Sequence, residues 1–313
     1  MAITAADVKK LRETTGAGMM DCKKALTATD GDFDKAIEWL REKGLATAQK
    51  KAGRIAAEGI AKVLVSEDGK NAVAVEVNAE TDFVAKNEKF QAYVQQVAEQ
   101  AMETGAADIE AFLAEPWKFG ANGETVKEAL AAQIAVIGEN MNIRRFQQVR
   151  EDEGFVASYT HMGGKIGVLV DVKTDVVNDA VKEMAKNLAM QIAALRPQYV
   201  SDAEVSEEYK AHEREILTVQ IQNDPKMAGK PEKVIAGAVA GRLAKELKEI
   251  CLLDQVYIKA EDGKQSVAAY IKEVAKANSA DITIKSFVRY ETGEGIEKKQ
   301  EDFAAEVAAQ MGM

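Results

Sequence analysis

Side chains able to do covalent chemistry are common in this sequence, but their spacing assembles none of them into a known device. Four Gly-Lys pairs begin at Gly69, Gly164, Gly229 and Gly263. A phosphate-cradling loop needs a glycine five positions ahead of such a pair and a hydroxyl residue after it. Those positions hold Leu64, Tyr159, Asp224 and Ile258, and no Ser or Thr follows any of the lysines. The two histidines, His161 and His212, have no metal-ligand spacing. Cys22 and Cys251 make neither a disulfide framework nor a metal cluster, and read as reduced cytosolic thiols. No nucleophile elbow or Cys/His pairing stands out. The 51 Asp and Glu residues supply chance carboxylate pairs rather than a defined acid–base couple. The expectation is therefore a protein with no covalent chemistry, no cofactor and no metal of its own, acting by binding.

One stretch looks built for binding: N-A-E-T-D-F-V-A-K-N-E-K-F, Asn78 to Phe90. It follows the alternating run A-V-A-V-E-V and precedes an amphipathic helix. Phe83 can be read in two ways. It lies seven residues before Phe90, so one continuous helix would put both rings on a core face. Alternatively Asn87-Glu88 starts a new helix and leaves Phe83 at a loop tip.

With 41 Lys and Arg against 51 Asp and Glu, the net charge is −10. Such a chain is a poor general binder of phosphate backbones, so no direct nucleic-acid contact is expected. The start M-A-I-T-A-A-D-V lacks a basic and an apolar leader region, and no run is long enough to span a membrane. A cytoplasmic protein without membrane contact is expected.

The elements that would carry Phe83 can be read from periodicity. Over residues 1–45, Thr4, Gly16, Asp32 and Lys43-Gly44 mark the ends of three short helices bearing Val8, Leu11, Leu26, Ile37 and Leu40. This is a three-helix module of ubiquitin-associated type in size and pattern. Residues 46–58 read as a polar linker, helical or flexible. Then a unit occurs twice: G-K-N-A-V-A-V-E-V begins at Gly69 and G-K-I-G-V-L-V-D-V at Gly164, 95 residues later. Each copy has an upstream strand, a glycine turn, a strand with Val at every second position, and a helix. The chain thus reads as α+β, with two related antiparallel-sheet/helix subdomains over 59–150 and 151–290.

Residues 201–250 interrupt the second copy. Tyr209, His212, Ile216, Val219 and Asn223 form one expected seam row, and Ile235, Val239, Leu243, Leu247 and Ile250 the other. They predict an inserted antiparallel coiled-coil hairpin that could support a homodimer. A C-terminal helical module is expected over 291–313, with its helix at 300–311.

Five segments then carry a resemblance that spans the chain: G-A-G-M-M-D-C-K-K-A-L (16–26), T-D-F-V-A-K-N (81–87), I-G-E-N-M-N-I-R-R (137–145), S-Y-T-H (158–161) and G-E-G-I-E-K (293–298). In this order they closely resemble the elongation factor Ts family. The resemblance implies a guanine nucleotide exchange factor that releases GDP from elongation factor Tu. It implies that Thr81, Asp82, Phe83 and Val84 enter the partner's GTPase domain and disturb its Mg²⁺ site, with Phe83 exposed and Asp82 capping the turn. It further implies partner-binding roles for Arg12, Met19, Met20, Ile137, Gly138 and His161. Two adjacent methionines cannot both face a small helical core, so at least one of Met19 and Met20 should be exposed. The competing function is a non-catalytic adaptor that uses the helical module and leaves nucleotide release unchanged.

Overall fold

The protein's structure, a computed structural model, describes residues 3–120, 123–227 and 229–297. The expected helix at 300–311 lies outside the described residues.

Helix α1 (Ala5–Thr15) opens on a reciprocal capping box between Thr4 and Asp7 and closes on left-handed Gly16. Helices α2 (Met19–Ala28) and α3 (Phe33–Lys51) complete the module around Val8, Leu11, Cys22, Leu26 and Ile37. Asp32 caps α3 by accepting from the Lys35 amide, as its position predicts. The C-cap expected at Gly44 is not there: α3 runs on through it to Lys51. Gly44 is buried against Ala131 of a core helix, and that packing offsets the roughly 1 kcal/mol that glycine costs inside a helix. Of the two forms expected for the linker, its first residues take the helical one, as the last turns of a docked α3.

Strands β1 (Glu58–Val65) and β2 (Asn71–Ala79) follow, then helices α4 (Asp82–Ala85), α5 (Glu88–Glu103), α6 (Ile109–Ala114) and α7 (Val126–Ile137). Strand β3 (Met141–Arg150) then pairs with β2, giving an antiparallel sheet in the order β1-β2-β3. The second sheet has strands β4 (Gly154–His161) and β5 (Ile166–Thr174), after which come helices α8 (Asp179–Leu195), α9 (Glu207–Gln222), α10 (Glu232–Ile250) and α11 (Val267–Asn278). Strand β6 (Ile282–Glu291) returns beside β5, in the order β4-β5-β6. Both hairpins of the sequence repeat are present, and the third strands pair in the same way. Each has one extra residue opposite its central strand: Arg144 is skipped between the Glu76–Arg145 and Val77–Ile143 pairs, and Lys285 between Asp171–Ser286 and Val172–Ile284.

Alternation on the central strands separates two kinds of core. Val73, Val75 and Val77 face Phe90, Val94, Val97 and Ala101 of α5; Val168, Val170 and Val172 face Val181, Met184, Leu188 and Ile192 of α8. The opposite faces meet each other through Ala61, Val63, Ala72, Ala74, Val156, Leu169, Val288 and Tyr290. Close approach needs small residues there: a Cβ on Gly167 would sit 2.9 Å from the Ala61 carbonyl oxygen. The layers are helix, sheet, sheet, helix.

The α9–α10 hairpin forms, but with a different seam on α9. Leu217 and Ile221 are buried against Val239 and Leu243, while His212, Ile216, Val219 and Asn223 face solvent. Of the expected α9 row only Tyr209 turns inward, donating to Glu246 across the hairpin at 3.2 Å. The observed row buries aliphatic side chains, whereas the expected one would have desolvated an imidazole and an amide.

Candidate functional site

Strand β2 delivers the chain to Glu80 and Thr81, and the 80–87 turn is built by two successive caps. The Thr81 hydroxyl oxygen accepts from the Val84 amide at 3.3 Å and starts the single turn of α4. Asn87 Oδ1 accepts from the Lys89 amide at 2.9 Å and starts α5 afresh. The break between them takes Phe83 off the apolar face of α5. Phe90 is fully buried on that face, Val84 is 8% exposed beneath the turn, and Phe83 is 80% exposed. The two sequence readings of Phe83 thereby separate: the ring is held out in solvent. The expected cap is corrected. Thr81 takes that place, and Asp82 stands at the first helical position, paired with Lys86 at 2.7 Å. The hydrogen bond from Lys86 keeps the exposed Asp82 carboxyl below its ordinary range.

A second segment holds this turn. Helix α7 ends at half-buried Ile137, and Gly138 follows as a left-handed C-cap with φ 88°. Glu139 then accepts two hydrogen bonds from Thr81, from the amide at 3.0 Å and from the hydroxyl at 2.7 Å. Asn140 is bonded on both sides: its amide donates to Glu80 at 2.5 Å, and its Nδ2 donates to the Arg54 carbonyl at 2.7 Å. Lys51 at the end of α3 donates to the Gly138 carbonyl at 2.5 Å. Three stretches far apart in sequence thus converge: 51–54, 80–87 and 137–140. Glu80, Glu139, Asn140, Lys51 and Arg54 are the supports that residue-by-residue reading missed. Their long-range partners leave no periodic trace, although Glu139 and Asn140 stand inside a motif quoted above.

The remaining expected site residues lie on two other surfaces. His161 ends β4, exposed, with Nδ1 3.0 Å from the Tyr159 hydroxyl. The turn after it packs on β1, where a Cβ on Gly164 would meet Ile60 at 2.9 Å. Helix α4 packs on β1 as well, so the turns bearing His161 and Phe83 flank one strand. Arg12, Met19 and Met20 are on the helical module. Both methionines are exposed, at 55% and 64%, because they form the first turn of α2 and project beyond its packed side. Among the described residues no bond joins these three to the 80–87 turn. Docking of the module runs through α3, with Arg41 and Glu128 at 2.9 Å beside the Gly44 contact.

Among the described residues no group of three or more His, Cys, Asp or Glu side chains could hold a metal ion, and no helix is long and apolar enough to cross a membrane. Both cysteines are buried, and burial pushes their thiols up, Cys251 to about 11. What the 80–87 turn offers is an exposed aromatic ring on a braced support, which suits insertion into another macromolecule.

Comparison with known proteins bears on which macromolecule. A family model described as elongation factor TS matches residues 80–294. The chain is 52% identical over 309 residues to elongation factor Ts of Clostridium tetani, covering 99% of both chains. It is 50% identical over 309 residues to elongation factor Ts of Clostridioides difficile, again covering 99% of both.

Proposed function

The chain belongs to the elongation factor Ts family, whose general role is nucleotide exchange on elongation factor Tu, and from that premise we propose how its own residues would do it. Phe83 enters the GTPase domain of Tu, and Thr81, Asp82 and Val84 shape and support the entering turn. The ring displaces the groups that hold Mg²⁺ and phosphate, and GDP leaves. Arg12, Met19 and Met20 on the module, and Ile137, Gly138 and His161 on the core, hold the partner while its nucleotide site is empty. GTP binding then releases the factor. The setting would be the cytoplasm, where translation takes place.

The mechanism needs no bond-making group. Nucleotide and exchange factor each weaken the other's hold on Tu, and the coupling is reciprocal. A thousandfold faster release requires about 4 kcal/mol off the exit barrier. Burial of one Phe side chain supplies roughly 1.5–3 kcal/mol, and loss of metal contacts supplies the rest. The observation that carries this reading is Phe83, 80% exposed on a turn whose neighbour Val84 is anchored in the core. Release of labelled GDP from purified Tu, with and without the chain, is the test. Acceleration by the chain is expected. Binding with unchanged release would favour an adaptor instead.

A further inference from the structure

A four-residue helix has almost no stability of its own, because nucleation is unfavourable and only a few hydrogen bonds repay it. Helix α4 nevertheless holds a phenyl ring away from the protein. Its N-cap explains how. The Thr81 hydroxyl serves two partners at once, accepting from the Val84 amide and donating to Glu139. Donation to Glu139 turns the hydroxyl proton away from the helix and leaves an oxygen lone pair facing Val84. The other Glu139 oxygen takes the Thr81 amide, which fixes the extended backbone at φ −126° from which α4 springs. Glu139 is itself restrained on both sides, by the Gly138 cap of α7 and by the Asn140–Glu80 bond. A two-pronged carboxylate on one residue of a one-turn helix is a stronger restraint than that helix could supply from within.

We infer that Glu139 is a positioning residue for exchange: it locks the Thr81 cap and so fixes the direction in which Phe83 is presented. The inference rests on the reading that Phe83 is the contact that opens the nucleotide site. Glu139 acts through Thr81 and needs no contact with the partner. It therefore affects how fast nucleotide leaves the complex more than how tightly the complex forms, because the rest of the surface still holds the partner.

Two measurements on the full chain test this. The first is amide hydrogen exchange in the free protein. Glu139→Ala should deprotect the Ala85 and Lys86 amides, which bond back to Thr81 and Asp82 at 3.4 and 3.2 Å, by about tenfold or more. The β1 and β2 amides should be unchanged. The second is stopped-flow GDP release from Tu against factor concentration. The maximal rate should fall about fivefold or more, with the half-saturating concentration shifted less than about twofold. Glu139→Gln keeps an acceptor for the Thr81 amide but turns an NH2 donor toward its hydroxyl, and should restore both only in part. Should Glu139→Ala fail to fold, Glu139→Asp withdraws the carboxylate from Thr81 by one methylene, leaves the Thr81 hydroxyl in place and gives the same comparison. Unchanged protection of Ala85 and Lys86 overturns the inference, whatever Phe83 does. So does a normal maximal rate for Glu139→Ala when Phe83→Ala is slow. A normal rate for Phe83→Ala would instead bring down the underlying reading, and the hydrogen-exchange result would still decide whether Glu139 holds the turn.

Discussion

The two sheets place a carboxylate at the same bulge and give it opposite surroundings. Glu76 on β2 and Asp171 on β5 are 95 residues apart, each paired with the residue that follows the extra one of its third strand. Both are buried on the face where the sheets meet. Glu76 has Arg144 at 3.0 Å, Arg145 at 2.6 Å, Asn78 at 3.1 Å and the Gly293 amide at 2.8 Å. Burial works to raise its carboxyl, but those four donors outweigh burial and hold it below the ordinary range. Asp171 has Ser286 at 3.4 Å, a second buried acid in Glu151, and one nearby cation, Lys285, which is spent on Glu151 at 2.9 Å. Burial, then the hydrogen bond and charge of Glu151, push Asp171 up to about 6. A repeated backbone decides where an acid sits. Its ionisation is decided by the neighbours, which the repeat does not preserve.

The sharpest way to break this contrast is to neutralise each acid in turn. Glu76→Gln leaves two guanidinium groups beside a neutral amide. Loss of one member of a buried pair costs about 3–5 kcal/mol, so the denaturation midpoint at pH 7.5 should fall accordingly. The folded-state pKa of Glu76 is depressed, so its stabilisation is present above the ordinary value of 4.5 and lost as pH falls through the depressed one. The gap between mutant and wild type should therefore narrow only in acid. Loss below about 1 kcal/mol would mean the arginines do not need it.

Asp171→Asn should act in the other direction. The folded-state pKa of Asp171 is raised, so the stability it gives is full below 3.8 and lost as pH rises through about 6. Asparagine cannot ionise, and its amide still donates to Glu151. The variant should be more stable than wild type at pH 7.5, by on the order of 1–3 kcal/mol. It should match wild type near pH 4. Thermal unfolding across pH 4–8 checks both points, and a destabilised mutant at pH 7.5 would show that the ionised Asp171 carboxylate is needed there.

The same divergence explains what the sequence could reveal. Val at alternate positions made both hairpins legible, and the i, i+3, i+4 rows of α5 and α8 were legible too, because burial of one face is written locally. Strand β3 was not, since Arg144 and Arg145 interrupt its alternation to serve Glu76. The end of α3 was misplaced because Gly44 answers to Ala131, a residue with no local signature. On α9, a spacing of 3 and 4 suited two rows equally, and only Val239 and Leu243 across the hairpin select Leu217 and Ile221. Exposure of Phe83 was readable as one of two outcomes from Asn87. Its brace was not, because Glu139 lies 58 residues from Thr81.

The smallest expected effect tests the turns that follow the two central strands. Thr81-Asp82-Phe83-Val84 has a counterpart in Thr174-Asp175-Val176-Val177. In the second copy the Thr174 hydroxyl accepts from Val176, two residues on, no helical turn forms, and Asn178 caps α8 directly. There the Asp175 carboxylate accepts from the Asp281 amide at 2.8 Å, and the half-buried Val176 is not held out. So the first copy differs in two respects, an aromatic ring and a braced turn to present it. Phe83→Val removes the ring and leaves the brace. An exposed side chain contributes little to folding, so stability should change by less than about 1 kcal/mol. Catalysed GDP release from Tu should slow at least tenfold, about 1.4 kcal/mol of lost barrier lowering. A core Phe would show the reverse pattern, with several kcal/mol of lost stability and normal exchange by the molecules that remain folded. The reciprocal change, Val176→Phe, adds a ring without a brace and should leave release within about twofold of wild type. If it accelerated release, presentation by Thr81 and Glu139 would not be what distinguishes the two copies, and the ring alone would suffice.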